Sequence, residues 1–225
     1  MQAQTQAFPR HQRLYFGALL AGIDGSLDSY TYLLHGGVFS GLQTGNCILI
    51  GVEVSKGDYG QVLKYIVSIL AFILGAIIIR FIQYRFELSD SLKRHEIFVL
   101  IYECVLMVVV ALLGTHIPQM MATAILSIVA AGQLQEFRQL KGGPFTSLMM
   151  TGNLRTLGES LFNGWLVGQS KVRSKAIDMG TIILSFVAGA VLMGLLVPML
   201  KELAIVCSAV MVAITAMILM VNPER

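Results

Sequence analysis

The sequence predicts an all-α polytopic membrane protein of about six transmembrane helices, built as two inverted three-helix repeats that each contain a broken or re-entrant segment. Three observations carry this reading. Hydrophobic residues make up 56% of the 225-residue chain and charged residues only 13%, which leaves too little polar surface for a soluble globule. The apolar residues fall into runs of spanning length, about 20 residues for a hydrocarbon core of about 30 Å. Finally, one tripeptide occurs twice between apolar stretches, as Thr44-Gly45-Asn46 and Thr151-Gly152-Asn153.

Residues 1 to 13 are polar and carry Arg10 and Arg13, a short cytoplasmic lead. The first span is expected over Leu14 to Leu34, interrupted by Asp24 and Asp28, and no small-residue cleavage site of a secretory signal follows it. Further spans are expected over Val62 to Ile82, Ile97 to Leu113, Pro118 to Phe137, Ile177 to Met199 and Leu203 to Val221. Two more stretches, Val38 to Val54 and Phe145 to Gly168, are fairly apolar and contain the tripeptides. They either cross the membrane or only dip into it.

Basic residues favour the second option. With six spans and both termini inside, Arg10, Arg13, Arg80, Arg85, Lys93, Arg94, Arg138, Lys141, Arg155, Lys171, Arg173, Lys175 and Arg225 are cytoplasmic, and Lys56, Lys64 and Lys201 are outside. Full crossing of both tripeptide regions evens out this asymmetry and strands Arg155 within a helix. One compact membrane domain, residues 1 to 225, then consists of a first repeat over about 14 to 113 and a second over about 118 to 221. Three spans per repeat is an odd number, so the second copy runs through the membrane upside down. Two further markers support the alignment. Gly36-Gly37-Val38-Phe39 and Gly142-Gly143-Pro144-Phe145 precede the tripeptides, and Phe72-Ile73-Leu74-Gly75-Ala76 matches Phe186-Val187-Ala188-Gly189-Ala190.

These motifs resemble the YoaK-type proteins, a bacterial inner-membrane family known as a domain of unknown function. The shared features are Gly22-Ile23-Asp24 with Asp28, the stretch from Gly36 to Asn46, Phe72 to Ala76, and Gln133-Leu134-Gln135 running to Thr151-Gly152-Asn153-Leu154. The resemblance implies a multi-pass inner-membrane protein of about six helices and carries no settled activity.

The candidate site residues follow from the chemistry of the tripeptide and of the intramembrane charges. Threonine can cap a helix, glycine tolerates unusual dihedrals, and asparagine both donates and accepts hydrogen bonds. A half-helix starting at Thr44 or Thr151 offers free N–H groups that suit an anion or a polar solute. Thr44, Gly45, Asn46, Thr151, Gly152, Asn153 and Gln133 are therefore the expected substrate-binding residues. The structural alternative is that threonine and asparagine only satisfy the interrupted backbone and join the repeats. Asp24, Asp28, Glu103 and Arg138 are the expected coupling or intramembrane charges, with Asp24 first. Asp24 and Asp28 are one helical turn apart on one face, where two carboxylates can form a proton or cation site. Asp28, near the helix end, alternatively pairs with a basic residue. Glu103 has no basic neighbour in its helix, and Arg138 snorkels at the interface.

His11, His35, His95 and His116 are scattered and form no ligand spacing, and Cys47, Cys104 and Cys207 lack CxxC spacing. No metal, cofactor, nucleic-acid or catalytic motif is expected. Inverted repeats with interrupted hydrophobic segments point to a site near the bilayer midplane. The expected function is a secondary transporter or permease for a small polar or anionic solute, bound where the two tripeptide half-helices meet. The alternative is a membrane scaffold or sensor that recruits a partner through the basic loops Arg80 to Arg94 and Lys171 to Lys175. Small residues such as Gly75-Ala76 serve either a homodimer contact or the packing of the repeats.

Overall fold

Apolar runs without water must satisfy their backbone within helices, and the computed structural model of the chain is helical nearly throughout. It describes residues 8 to 87 and 95 to 221. Lys93, Arg94 and Arg225, expected on the cytoplasmic side, lie outside the described residues. Eight α-helices occur among those described: α1 (Leu14–Leu34), α2 (Gln43–Lys56), α3 (Tyr59–Glu87), α4 (His95–Leu113), α5 (Gln119–Glu136), α6 (Met150–Leu161), α7 (Ser170–Leu200) and α8 (Ile205–Met220). A π-turn over Phe162–Leu166 extends α6, and a 3-10 turn over Lys201–Ala204 separates α7 from α8.

Three helical segments are long and apolar enough to cross a membrane: Tyr59–Arg85, His95–Leu113 and Val172–Met220, the last containing both α7 and α8. Their outward faces are those of a membrane protein. Along α3, Leu70, Ile73, Leu74, Ile77 and Phe81 are all exposed, an apolar stripe that a soluble monomer rarely carries. α1 and α5 are too polar to qualify by the same measure. α1 holds Asp24 and Asp28, and α5 holds Thr123, Ser127 and Gln133, all of them buried. These two helices are interior elements that meet protein instead of lipid.

The pairings of the helices place α1 and α5 inside. α1 packs along α7 and touches α8, while α5 packs along α3 and α4; α4 and α8 pair with each other, and α2 and α6 lie against α3 and α7 respectively. Apolar packing between such helices gains little over lipid contact, so close approach and interhelical hydrogen bonds have to hold them. Both are present. A β-carbon on Gly189 would lie 1.9 Å from the Gly22 carbonyl oxygen, and one on Gly25 would lie 2.0 Å from that of Phe186. Gly75 of α3 is pressed against Ile128 of α5 in the same way, at 2.8 Å. Ser26 bonds Ser208 at 2.7 Å across α1 and α8, and Ser68 bonds Ser127 at 2.8 Å across α3 and α5.

α2 and α6 are the short elements. At 1.5 Å per residue, 14 and 12 residues reach about 21 and about 18 Å, less than a hydrocarbon core of about 30 Å. Each follows an irregular stretch. Before α6 the chain makes a two-stranded hairpin, Gln139–Leu140 against Gly143–Pro144, an element the all-helical expectation did not include. Its turn residues Lys141 and Gly142 have φ of 49° and 75°, as a two-residue hairpin turn of the primed type requires. Lys141 also grips Asp178 of α7 through both carboxylate oxygens at 2.7 Å.

The glycine contacts give a direct test. Gly189→Ala should destabilise the protein in detergent by about 1–3 kcal/mol through overpacking, read as a lower thermal midpoint. Gly194→Ala, on the same helix with open space around it, should leave the midpoint unchanged.

Candidate functional site

The first irregular stretch, residues 35 to 42, would bury backbone N–H groups without partners. Asp28 supplies them. Its carboxylate accepts the Gly41 N–H at 2.6 Å, the Leu42 N–H at 3.1 Å and the Ser40 hydroxyl at 3.2 Å. A negative group is thereby set at the start of α2, where the helix dipole favours it. The basic residue raised as the alternative partner of Asp28 is replaced by backbone and hydroxyl donors.

The tripeptide residues are divided in role. Asn46 is fully buried and is committed to the preceding loop: its Oδ1 accepts the Phe39 N–H at 3.0 Å, and its Nδ2 donates to the Phe39 carbonyl at 2.7 Å and to Gln43 Oε1 at 2.8 Å. Ser68 of α3 closes the same knot by donating to the Phe39 carbonyl at 2.8 Å. Asn153 repeats the arrangement, donating to the Thr146 carbonyl seven residues back at 2.9 Å. Thr44 and Thr151 are exposed, as is Gly152, and Gly45 is half-buried. Neither threonine caps its helix. α2 and α6 begin after Leu42 and Met149, neither of which makes a side-chain cap, and Thr146 instead accepts the Met149 N–H at 3.1 Å.

The two irregular stretches meet. Leu148, just before α6, lies over Gly41, just before α2, so closely that a β-carbon on Gly41 would be 2.5 Å from it. Beneath this junction Ser40 and Ser147 are completely buried. Gln133 reaches in from α5, its amide donating to the Leu20 carbonyl at 3.1 Å and to Ser147 at 3.3 Å.

Asp24 and Glu103 complete the cluster and differ from Asp28 in one respect. Both are at most 1% exposed, and neither carboxyl has a hydrogen-bond partner among the described residues; Gln133 Oε1 is in the same position. The polar groups facing Asp24 are Ser147, Gln133 and the Asp28 carboxylate, while Glu103 faces Asp24 and Glu136. Glu103 sits above Gly132, where a β-carbon would be 3.7 Å from Oε1. Arg138 is exposed and apart from this cluster. The atoms left without a partner in this cluster are all oxygens.

A family model described as "Protein of unknown function (DUF1275)" matches residues 16–218. The chain belongs to this family. No curated protein and no solved structure matches it. The DUF1275 match extends over α1 through most of α8, so the buried carboxylates and both irregular stretches lie within the family's domain.

Sequence reasoning sets Ser40 and Ser147 aside because they form no nucleophile and base pair, and it misses Ser68, since serines in apolar runs carry no pattern of their own. It also passed over His35. This residue, just past α1, is 3% exposed, with neither ring nitrogen hydrogen-bonded among the described residues and the Tyr30 ring edge-on at 5.2 Å. Burial pushes its imidazole down to about 4, against the opposing pull of Glu202.

Two outcomes follow. Asp28→Ala should cost about 3 kcal/mol, because two buried donors and one part-buried donor lose a charged acceptor; Asp28→Asn should cost less, and thermal unfolding in detergent measures both. For His35 the depressed folded value means that stability is full above the ordinary value of about 6.5 and is lost as pH falls toward 4. The loss should be about 2 kcal/mol at pH 5, and His35→Gln should remove that part of the pH dependence.

Proposed function

We propose that the protein is a secondary transporter whose central site, at the junction of the two tripeptide-bearing segments, takes a proton or a small polar or cationic solute. The observation that carries this reading is the set of orphaned acceptors on Asp24, Glu103 and Gln133. An ionisable group inside a membrane is costly and is kept where it has a partner or a task. The carboxyls of Asp24 and Glu103 face each other, with Gln133 beside Asp24, and such a pair suits a donor: a proton, an ammonium group or a hydroxyl-rich neutral molecule. An anion, the other option raised by free helix N-termini, meets the Asp28 carboxylate already seated at the start of α2.

In this reading the chain crosses the membrane six times as two inverted repeats, and the helix pairings support it. Exchange of α1 with α5, α2 with α6, α3 with α7 and α4 with α8 carries the observed pairings into one another, α1 on α7 into α5 on α3, and α4 on α8 into itself. The glycines of the duplicated motif, Gly75 and Gly189, make the tight contacts of these equivalent pairs. A helix-interrupted site between inverted halves is the arrangement that alternating access uses. Both termini would face the cytoplasm of a bacterial inner membrane, as the basic residues and the resemblance to YoaK-type proteins favour. In this reading Asn46 and Asn153 clasp the two interrupted segments, and Asp24 and Glu103 carry the proton or contact the solute.

The test is uptake by proteoliposomes under an imposed pH gradient, with three probe classes: small ammonium compounds, neutral polyols and carboxylates. Uptake of an ammonium compound or a polyol is expected. Asp24→Asn and Glu103→Gln should each lower it at least about tenfold, with an unchanged size-exclusion profile; a tenfold loss corresponds to about 1.4 kcal/mol of transition-state stabilisation. Uptake confined to carboxylates, or uptake that both variants leave intact, would defeat the proposal. So would variants that gain stability in a protein that moves none of the probes.

A further inference from the structure

Between Met150 and Ile177 the chain carries four basic residues, Arg155, Lys171, Arg173 and Lys175, against a single acid, Glu159, and the same stretch holds the only tryptophan of the protein, Trp165. Here α6 passes through the wider π-turn Phe162–Leu166 before α7 begins at Ser170. Phe162, Trp165, Leu166 and Val167 are each more than half exposed, an apolar cluster set directly beside the basic residues. Arg173 folds back onto this turn. Its Nε donates to the Gly164 carbonyl at 2.8 Å, and its guanidinium carbon lies 5.6 Å from the centre of the Trp165 ring, within cation–π reach. Gly164 permits the approach, since a β-carbon there would lie 2.9 Å from Arg173 Cγ. The acids on the neighbouring turns face other bases: Glu159 lies 3.5 Å from Arg155, and Asp178 is held by Lys141.

We infer that the turn Phe162–Leu166 and Arg173 bind an anionic phospholipid, the apolar side chains entering the acyl layer and the guanidinium taking the headgroup phosphate. Val172 opens the apolar segment Val172–Met220 that is long enough to cross a membrane, so Arg173 stands where hydrocarbon gives way to headgroups, with Trp165 beside it. Tryptophan is enriched at that level because its ring is amphipathic, and an arginine there keeps its stem in the apolar layer and its head in the polar one. Arginine offers a phosphate paired N–H donors in one fixed plane. The Trp165 ring and the Gly164 carbonyl hold that plane, and its terminal amino groups have no hydrogen-bond or ion-pair partner among the described residues. Exposed Lys175 adds positive charge on the same stretch, and basic residues beside a bilayer select anionic over zwitterionic lipid. A free phosphate would use the cation alone, whereas a phospholipid is apolar below its phosphate and uses the turn as well.

This inference needs the bilayer and is independent of transport. Because Trp165 is the only tryptophan, its fluorescence reports this turn alone. The full-length protein is reconstituted in an equimolar mixture of phosphatidylglycerol and phosphatidylcholine, with brominated acyl chains on one lipid or on the other, so that the bulk quencher is the same. Brominated phosphatidylglycerol is expected to quench Trp165 more strongly, through an enrichment around the turn on the order of fivefold, the preference that one basic residue at an anionic surface supports. Arg173→Gln should bring the two lipids to equal quenching, with the ring still in the bilayer. Arg173→Lys, which keeps the charge and loses the planar fork, should reduce the preference and gives a second reading where the glutamine variant fails to fold. Equal quenching by the two lipids in the wild type would overturn the inference, and so would emission that neither lipid quenches, which would set the turn against protein or water. An undiminished preference in either variant would overturn it as well, since the anionic lipid would then be held elsewhere.

Discussion

Every backbone N–H and C=O held away from water needs a partner inside the protein, and the two interrupted segments make that demand acute. A continuous helix meets it by itself; a stretch such as residues 35 to 42 does not. The remedy is a set of polar side chains aimed at specific backbone atoms: Asp28 at Gly41 and Leu42, Asn46 at both polar atoms of Phe39, Ser68 at the Phe39 carbonyl and Asn153 at Thr146. These side chains have to be inside, so the helices that bear them have to be inside as well. Gly22 and Gly25 let α1 approach α7 closely enough for this, and the cost is a helix too polar to resemble a lipid-facing span.

The same demand separates side chains that look equivalent. Asp24 and Asp28 lie one turn apart on one helix, and nothing local distinguishes them. Asp28 is consumed by the backbone of the first segment, whereas Asp24 has no such duty among the described residues. Asparagine and threonine divide likewise. The asparagines are committed to their own loops, and Thr44 and Thr151 turn outward. Among the described residues the carboxyls left without a hydrogen bond in this core are those of Asp24 and Glu103, while the Gln133 amide is committed to the Leu20 carbonyl and Ser147.

Much of the fold was legible because apolar length is a local signal. Leu14 to Leu34 and His95 to Leu113 emerge as helices within a residue or two of the apolar runs, and the short reach of α2 and α6 agrees with broken segments. The duplicated tripeptide falls in the first turn of α2 and of α6. Its inner logic was misread, since a helix cap was sought in the threonine next to the break. The acceptor that does the work lies fourteen residues upstream, because Asp28 and Leu42 come together only once α1 is packed. The hairpin at residues 139 to 144 escaped notice for a related reason: two-residue strands have no periodicity to detect. The contacts of His11 with Glu96 and of His95 with Glu136 join separate chain segments, and no spacing in the sequence encodes them.

The two interrupted segments are held by different means, and this bears on where chemistry can sit. The first relies on a buried charge, Asp28, for its N–H groups. The second enters through a hairpin whose Lys141 is anchored to Asp178, and the Thr146 hydroxyl accepts the Met149 N–H ahead of α6. A hydroxyl and a hairpin do for the second segment what a carboxylate does for the first. Asp24, the acid that faces Ser147 on that side, is therefore released from a backbone role that Asp28 cannot escape. In the transport reading proposed above, an inward-facing acid without a backbone duty is the group that takes up and releases a proton or a cation without unfolding its surroundings, and the unequal treatment of the two segments is what leaves Asp24 in that position.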